Sequence, residues 1–344
     1  MNTGKFNTQK INPDFYISIL VPVRNEEKNL PNIIKSFEKL EFDPNKFEII
    51  FIDDNSEDSG IQIIESAQKK LINICLLKSK GTGKKDALKT GIEKSKGELI
   101  ITIDADCTFD KNWLLSIASY YHKYKSDLII GPVKLESHDF FGTLQQLEFT
   151  ALSVATCGSA AIGNAVMCNG ANLAFKKEVY NDINTKTGYN YASGDDIFLL
   201  TEIKKKNKTK IHYLKSKGAI VYTNAINSFS GFWNQRKRWT SKNKAIKDLF
   251  IVFTGLIVYL TNLLILITGM MLIFKQELLL IFLVSFGIKT LVDFISIYIG
   301  SGFFELRRKA WIALILEPVN IFYTVVTGIA GLTSGFVWKN RRYK

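Results

Sequence analysis

Short apolar runs alternate with amphipathic stretches along the chain up to about residue 247. Apolar runs of strand length that end in polar clusters predict buried strands, and apolar residues at helical spacing between them predict helices. The predicted strands are Tyr16–Val23, Phe47–Ile52, Ile72–Leu77 and Leu99–Ile103, each followed by a predicted helix. Strands that alternate with helices in this way indicate an α/β fold with a mostly parallel sheet.

Polar side chains follow each predicted strand at the point where the apolar run stops. They are Arg24, Asn25 and Glu26 after the first run, Asp53 and Asp54 after the second, Lys84 after the third, and Asp104 and Asp106 after the fourth. The carboxyl ends of parallel strands share one edge of the sheet, and ligands bind at that edge. We therefore expect these side chains to contribute to one site.

From Asp248 onward the chain is almost purely apolar. The stretch Phe250–Phe274 contains no charged residue and is long enough to cross a hydrocarbon core of about 30 Å. Two further candidate spans contain charged or helix-bending residues: Leu278–Phe304 with Lys289 and Asp293, and Ala310–Trp338 with Glu317 and Pro318. The pattern predicts about three transmembrane segments.

These patterns divide the chain into four parts. They are a polar lead over residues 1–15, a globular domain over 16–247, a membrane domain over 248–338 and a basic tail over 339–344. The polar start MNTGKFNTQK does not read as a signal peptide, so we expect the globular domain to stay on the side where it is made.

The formal net charge of +13 is concentrated beside the predicted spans, at Arg236–Lys247 and Arg307–Lys309. Basic residues favour the cytoplasmic side, so we expect an integral protein of the cell (inner) membrane with a cytoplasmic globular domain. Three complete spans would place the terminal KNRRYK outside, and a re-entrant later segment is the alternative. The sequence shows no aromatic-basic recognition module, which favours anionic lipid over nucleic acid as the partner of this charge.

The four cysteines have no CxxC or zinc spacing, and the three histidines lie far apart in the sequence. We interpret the cysteines as reduced thiols in a reducing compartment.

Each polar cluster has a simple structural interpretation and a chemical one. Asp104 and Asp106 are either part of a capped turn or hard-oxygen ligands for Mg²⁺ or Mn²⁺, whose charge would neutralise theirs while the ion also holds a diphosphate. Asp53 and Asp54 are either helix caps or acceptors for the imide N–H of a uracil-like base.

The stretch Gly81-Thr82-Gly83-Lys84 is not a phosphate-binding P-loop, because positions 78 and 85 are both lysine where that motif requires Gly and Ser or Thr. It is either a flexible loop or a way of placing the Lys84 cation near a nucleotide phosphate.

Two later clusters also carry alternatives. In Ser193-Gly194-Asp195-Asp196, the acids either cap the following helix or include a general base, for which we choose Asp196. The stretch Gln235–Trp239 is either a juxtamembrane anchor, or it supplies Arg238 to stabilise a leaving diphosphate and Trp239 to bind an acceptor.

Taken in order, PVRNEE, DDNS, GK, DAD, GDD and QRKRW resemble the signature of membrane-associated family 2 glycosyltransferases. These are inverting nucleotide-sugar enzymes with a GT-A fold, a Rossmann-like and mostly parallel sheet. The group includes ceramide glucosyltransferases, polyprenol-phosphate sugar synthases and the processive cellulose, hyaluronan and chitin synthases. The resemblance covers roughly Ile17–Trp239 and includes apolar helices after the QxxRW motif.

The resemblance implies a role for each matching residue. The residues implied to bind the donor are Glu26, Asp53, Asp54, Lys84 and Asp104. Asp106 is implied as the more direct metal ligand, together with Asp104, and Asp196 as the catalytic base. The residues implied to contact the acceptor or the diphosphate are Asp195, Gln235, Arg238 and Trp239. The segment Cys168–Tyr180 resembles the stretch in which an Asn and a turn near Gly170 face the donor sugar.

The expected function is inverting transfer of one sugar from a nucleotide-diphosphate sugar, for which we expect UDP, to a lipid or lipid-linked acceptor. The alternative is a processive polysaccharide synthase that relies on a partner for its channel, since at most three spans follow the globular domain. A nucleotidyltransferase, which also uses paired Asp with Mg²⁺, and a membrane-anchored nucleotide-sugar binding protein are the rivals from other classes.

Overall fold

A computed structural model describes residues 5–183, 194–333, 336–338 and 341–343. They group into two compact units, one from Met1–Glu136 and Thr156–Asn224, the other from Ser137–Ala155 and Ala225–Lys344. The two units reflect which residues pack together. The functional domains over 16–247 and 248–338 remain a prediction.

The strands of the first unit are short and mostly buried. They are β1 (Ile17–Val23), β2 (Phe47–Asp53), β3 (Ile74–Lys78), β4 (Leu99–Thr102), β5 (Thr108–Phe109), β6 (Leu128–Ile130), β7 (Val133–Glu136), β8 (Leu173–Lys176), β9 (Ile211–Tyr213) and β10 (Val221–Asn224). Its helices are α1 (Leu30–Glu38), α2 (Gly60–Gln68), α3 (Lys84–Lys94), α4 (Trp113–Tyr124), α6 (Lys177–Asn181) and α7 (Asp195–Asn207). Helix α5 (Phe140–Ala161) contributes residues to both units.

The main sheet has the strand order β3-β2-β1-β4-β8-β6-β9. Strands β3, β2, β1 and β4 run parallel to one another, β8 is antiparallel to both β4 and β6, and β9 is parallel to β6. A smaller sheet has the order β5-β10-β7. The predicted α/β fold with a mostly parallel sheet is therefore confirmed, and the carboxyl ends of β1 to β4 share one edge.

The core of this unit lies between the sheet and its helices. Every residue of β2 and β4 is buried, and α4 contributes Trp113 and Tyr121, which are fully buried. Burial of each such side chain contributes roughly 1.5–3 kcal/mol. The indole N–H of Trp113 donates to the Asn172 side chain at 3.2 Å, which satisfies its polar atom inside the core.

A buried hydrogen-bond network fixes the chain where it enters β4. The Glu48 carboxylate accepts from the Ser18 hydroxyl at 2.6 Å and from the Lys96 backbone N–H at 2.7 Å. The Gly97 N–H in turn donates to Ser18 Oγ at 2.8 Å. A Cβ at Gly97 would lie 2.5 Å from the Ser18 backbone nitrogen, so this close approach requires glycine.

The second unit consists mainly of helices. They are the early part of α5, then α8 (Phe229–Ser241), α9 (Leu249–Met271), α10 (Leu279–Phe304), α11 (Arg307–Ala310) and α12 (Ile312–Thr333). They are followed by the paired strands β11 (Phe336–Trp338) and β12 (Arg341–Tyr343). The third apolar segment was predicted to run to Trp338, but the helix is described over Ile312–Thr333, and Phe336–Trp338 forms a strand instead.

Among the described residues, three helices are long and apolar enough to cross a membrane. They are Leu249–Met271 with mean hydropathy 2.5, Gln276–Phe304 with 2.2 and Ile312–Gly331 with 1.7. The predicted apolar segments are therefore confirmed as helices of spanning length. The charged residues inside them pair with one another, since Lys289 contacts Asp293 at 2.9 Å and also Glu317.

Replacing Gly97 by alanine should destabilise the first unit by about 1–3 kcal/mol, because the new Cβ meets rigid backbone. Thermal unfolding of the purified protein in detergent measures the loss. The matched control is Gly158→Ala on α5, where a Cβ meets nothing within 4 Å. That control should be neutral or stabilising by up to about 1 kcal/mol. Equal melting temperatures for the two variants would contradict the role of the Gly97 contact.

Candidate active site

The loops after β1 and β2 are tied together by side chain–backbone hydrogen bonds. Asn25 and Asn55 both adopt left-handed backbone conformations, with φ of 53° and 56°. Asn25 Oδ1 accepts from the Glu57 N–H at 2.8 Å, and the Asn25 N–H donates to Ser56 Oγ at 3.1 Å. These bonds fix the loop that carries Glu26, whose carboxylate accepts from the Asn29 side chain at 2.6 Å.

Asp53 and Asp54 are 5% and 4% exposed, and they bond one backbone amide of their own loop and one of the loop after β3. Asp53 Oδ1 accepts from the Ser56 N–H at 2.9 Å, and Asp54 Oδ1 accepts from the Gly83 N–H at 2.8 Å. The first amide of α2 is bonded instead by Asp58, at 3.0 Å. The interpretation of the two acids as caps of the following helix is therefore wrong, because α2 begins later than its polar start predicts.

The loop after β3 places Lys84 at the first position of α3, following Gly83, whose φ is positive (101°). The Lys84 ammonium donates to Asp104 Oδ1. Burial lowers the pKa of Lys84, but Asp104, together with Asp195 and Asp196, raises it by more, so the net shift is upward. Lys84 is therefore a positive charge surrounded by carboxylates.

The DAD turn after β4 alternates buried and outward-facing side chains. Ala105 and Cys107 are buried, whereas Asp104 is half-buried and Asp106 is exposed. Asp106 Oδ2 accepts from the Thr223 hydroxyl of β10 at 3.2 Å. Burial raises the pKa of the Cys107 thiol, with the two aspartates adding to the shift, so this cysteine stays neutral beside them.

Helix α7 begins directly after Gly194, which takes a left-handed conformation (φ 106°). Asp195 and Asp196 occupy its first turn, where the helix dipole stabilises negative charge. Asp195 Oδ1 lies 3.9 Å from Lys85 Nζ, and this lysine also lies 5.0 Å from the Phe198 ring centroid. Ser193, the first residue of the predicted cluster, lies outside the described residues.

A turn at Gly170 brings these clusters together. The Gly170 N–H donates to Asp196 Oδ2 at 3.3 Å, and its carbonyl accepts from the Thr102 hydroxyl at 2.9 Å. A Cβ on Gly170 would lie 3.6 Å from Lys84 Nζ and 3.7 Å from Asp196 Cβ. Lys84, Asp104, Gly170 and Asp196 thus form one group, which we call the acid–lysine cluster.

The side-chain oxygens at the DAD turn suit a hard divalent cation, provided that a bound substrate supplies further oxygens. Among the residues that the structure describes, no group of three or more His, Cys, Asp or Glu side chains is arranged to hold a metal ion alone. Two carboxylates, Asp104 and Asp106, offer the oxygen atoms that Mg²⁺ and Mn²⁺ prefer. A metal at this turn would therefore need further oxygens, of the kind that a diphosphate provides.

The stretch Gln235–Trp239 lies on α8 in the second unit. Gln235 Oε1 accepts from the Arg236 guanidinium, and Arg238 is half-buried, with its carbonyl accepting from the Ser241 hydroxyl at 3.0 Å. The Trp239 ring centroid lies 4.3 Å from Arg236 Cζ. Arg236, which is 3% exposed, was missed by the sequence analysis because an arginine in a basic run is ordinarily a surface residue.

Other contributors were also missed. Thr102 pins the Gly170 turn, Thr223 contacts Asp106, and Lys85 lies beside Asp195. Thr102 had one signal in the sequence, since it is the polar residue in an otherwise apolar run. Thr223 had none, because its contact depends on the pairing of β10 in the smaller sheet.

Comparison with known proteins finds one matching family model and a similar fold. Residues 18–184 match the family model described as Glycosyl transferase family 2. A mannosyltransferase from Pyrobaculum calidifontis, solved with GDP-Man and Mn²⁺, superposes with a TM-score of 0.55 at 13% identity, over 93% of this chain and 87% of that chain. At this identity the likeness shows the fold alone, and it confirms the expected GT-A architecture.

Curated relatives match parts of the chain. Poly(ribitol-phosphate) β-N-acetylglucosaminyltransferase TarS of Staphylococcus aureus is 27% identical over 118 residues, 34% of this chain and 21% of TarS. A probable glycosyltransferase of Sulfolobus acidocaldarius is 26% identical over 232 residues, 65% of this chain and 48% of that protein. An undecaprenyl-phosphate 4-deoxy-4-formamido-L-arabinose transferase of Proteus mirabilis is 35% identical over 104 residues, 28% and 30% of the two chains. The chain spans less than two thirds of the length of each of these relatives.

Replacing Lys84 by methionine should lower the free energy of unfolding, because Asp104 then keeps a half-buried charge without its cation. The loss should exceed that from breaking an exposed ion pair, which is typically about 0–1 kcal/mol. Denaturant unfolding at neutral pH measures the loss. The control is Lys111→Met, which removes the exposed pair with Glu41. Equal losses from the two variants would show that Lys84 does not stabilise the acid–lysine cluster.

Proposed function

We propose that this chain, whose residues 18–184 match the family model described as Glycosyl transferase family 2, transfers one sugar from a nucleotide-diphosphate sugar to a lipid or lipid-linked acceptor. The observation that carries the proposal is the acid–lysine cluster at the carboxyl edge of the sheet. Lys84, Asp104 and Gly170 lie within the matched residues, and Asp196 follows them. Among the relatives, an enzyme named for undecaprenyl phosphate supports a lipid-linked acceptor.

The donor nucleotide is assigned to the loops after β1 to β3. Asp53 and Asp54 bind the base or ribose, with Glu26 on the adjoining loop, and Lys84 lies near the diphosphate. Since Asp54 holds the Gly83 amide, the base-binding acids and the lysine are fixed on one support. We expect a UDP-sugar, while the solved mannosyltransferase binds GDP-Man, so the base is a point for direct measurement.

The divalent cation is assigned to Asp106 and Asp104. When bound, Mg²⁺ or Mn²⁺ neutralises the negative charge that develops on the leaving diphosphate. Asp106 is the more direct ligand, because Asp104 is already engaged by Lys84. The Mn²⁺ in the solved mannosyltransferase supports the use of a divalent cation.

Asp196 is assigned as the general base. Its carboxylate accepts the proton of an acceptor hydroxyl while the hydroxyl oxygen bonds to the anomeric carbon and the bond to the diphosphate oxygen breaks. Direct displacement of this kind inverts the anomeric configuration. The Gly170 N–H donates to Asp196 Oδ2, which orients the carboxylate toward the turn. Asp195, Gln235, Arg238 and Trp239 are assigned to acceptor and diphosphate contacts.

We also propose that the apolar helices anchor the protein in the cell membrane with the family 2 domain in the cytoplasm. The helices of spanning length support the anchoring, and the basic stretches beside them support the orientation. A lipid acceptor would then reach the enzyme from the bilayer, which agrees with single transfer rather than polymer extrusion.

Replacing Asp196 by asparagine should lower transfer to a hydroxyl acceptor by at least about 100-fold, because the base is removed while the shape is kept. Nucleotide-sugar binding, measured by calorimetry, should change little. The control is Asp110→Asn, an exposed aspartate outside the cluster, which should leave turnover unchanged. Near-normal turnover of the Asp196 variant would refute its assignment as the base.

Replacing Asp106 by asparagine should raise the Mn²⁺ or Mg²⁺ concentration needed for half-maximal transfer by at least about tenfold, because a carboxylate that binds the metal directly is lost. Asp104→Asn should have a smaller effect on metal dependence, because Lys84 already neutralises this acid. Metal titration of the chelator-treated protein measures both. Activity that survives chelator unchanged would exclude the metal assignment.

A further inference from the structure

Arg236 is an almost fully buried charge in the middle of the QRKRW stretch. It is 3% exposed, and its guanidinium contacts Glu148 of α5 through two nitrogens, with Nε at 3.1 Å from Glu148 Oε1 and Nη2 bonded to Oε2. Paired, charge-assisted hydrogen bonds of this kind are stronger and more specific in geometry than a single neutral hydrogen bond. Burial lowers the pKa of Arg236, but Glu148 raises it by more, so the side chain keeps its charge.

The same guanidinium contacts two residues that are assigned to acceptor binding. Its Nη1 donates to Gln235 Oε1, and its Cζ lies 4.3 Å from the Trp239 ring centroid. Cζ also lies 4.4 Å from the Phe232 ring centroid. Two aromatic rings, Trp239 and Phe232, therefore contact the same planar cation.

Helix α12 completes the arrangement. The Tyr323 hydroxyl donates to Glu148 Oε1 at 3.3 Å, and its ring lies 5.6 Å from Phe232. Further along, a Cβ on Gly331 would meet Thr240 Oγ1 of α8 at 1.8 Å, so the two helices approach closely there as well. The helix that carries Gln235 and Trp239 is therefore held on the last apolar helix at two points.

We propose that Arg236 is a positioning residue for acceptor binding. Its guanidinium, held by Glu148 and Tyr323, fixes the positions of the Gln235 amide and the Trp239 ring. The inference rests on the proposed function, in which Gln235 and Trp239 contact the acceptor. It predicts that disturbing the guanidinium weakens acceptor binding and leaves binding of the donor nucleotide unchanged, because the residues assigned to the nucleotide, Asp53, Asp54 and Lys84, belong to the other unit.

A purely structural role is the competing explanation. A buried ion pair can often be replaced by apolar side chains of similar size without loss of stability, whereas removal of one partner is strongly destabilising. Apolar replacement of both partners therefore separates the two roles. It restores the fold but supplies neither the hydrogen bond to Gln235 nor the cation beside Trp239.

The experiment uses the full chain in detergent, with UDP-glucose, UDP-N-acetylglucosamine and GDP-mannose as donors and undecaprenyl phosphate or a total lipid extract as acceptor. Arg236→Lys keeps the charge but loses the planar fork. It should raise the KM for the acceptor about tenfold, with the donor KM and the slow acceptor-free hydrolysis of the donor unchanged. The matched control is Arg307→Lys, which alters another arginine beside an aromatic ring, 5.5 Å from Tyr298, and should change neither KM.

The double variant Glu148→Leu with Arg236→Met should recover thermal stability relative to Glu148→Leu alone and still show the raised acceptor KM. Recovery of a wild-type acceptor KM together with stability would overturn the inference. An unchanged acceptor KM in Arg236→Lys would also overturn the inference. If the wild type is active in that experiment, the proposed function is still supported. A wild-type protein that transfers sugar from none of the donors to either acceptor would refute the proposed function and, with it, the inference.

Discussion

The ion pair between Lys84 and Asp104 is the interaction on which the candidate site depends. Carboxylates at the end of a buried strand lose hydration, and they stay charged only where a cation or hydrogen-bond donors compensate. Lys84 reaches Asp104 from the start of α3, and its raised pKa reflects Asp195 and Asp196 as well. A metal was expected to neutralise the DAD acids. Lys84 compensates part of the Asp104 charge, and the proposed metal ligands are the exposed Asp106 together with Asp104.

The position of that lysine depends in turn on backbone amides held by acids. Asp54 fixes the Gly83 amide immediately before Lys84, and Asp196 accepts from the Gly170 amide beside it. Because these bonds come from the ends of parallel strands and from two loops, the site is a property of the sheet edge as a whole. Asp54 and Asp196, which the sequence allowed as helix caps, instead connect one loop to another.

The pattern of apolar and polar residues predicted the features that depend on neighbouring residues in the sequence. The apolar runs gave the strands of the parallel sheet, and the uncharged stretch after Asp248 gave a helix of spanning length. Contacts between distant segments had no such signal. Arg236 sits in a basic run that resembles a membrane anchor, and its burial depends on Glu148, on another helix far away in the sequence. The role of Gly170 entered only through family resemblance, because its contact with Asp196 is made by the fold.

The most direct test of the account is to incubate the membrane-embedded protein with a panel of radiolabelled nucleotide sugars and a native lipid extract, and to determine the anomeric configuration of any labelled lipid. The account predicts that one nucleotide sugar labels the lipid fraction with a single sugar of inverted configuration. A ladder of sugars, retention of configuration, or pyrophosphate release from a nucleoside triphosphate without any sugar transfer would contradict it.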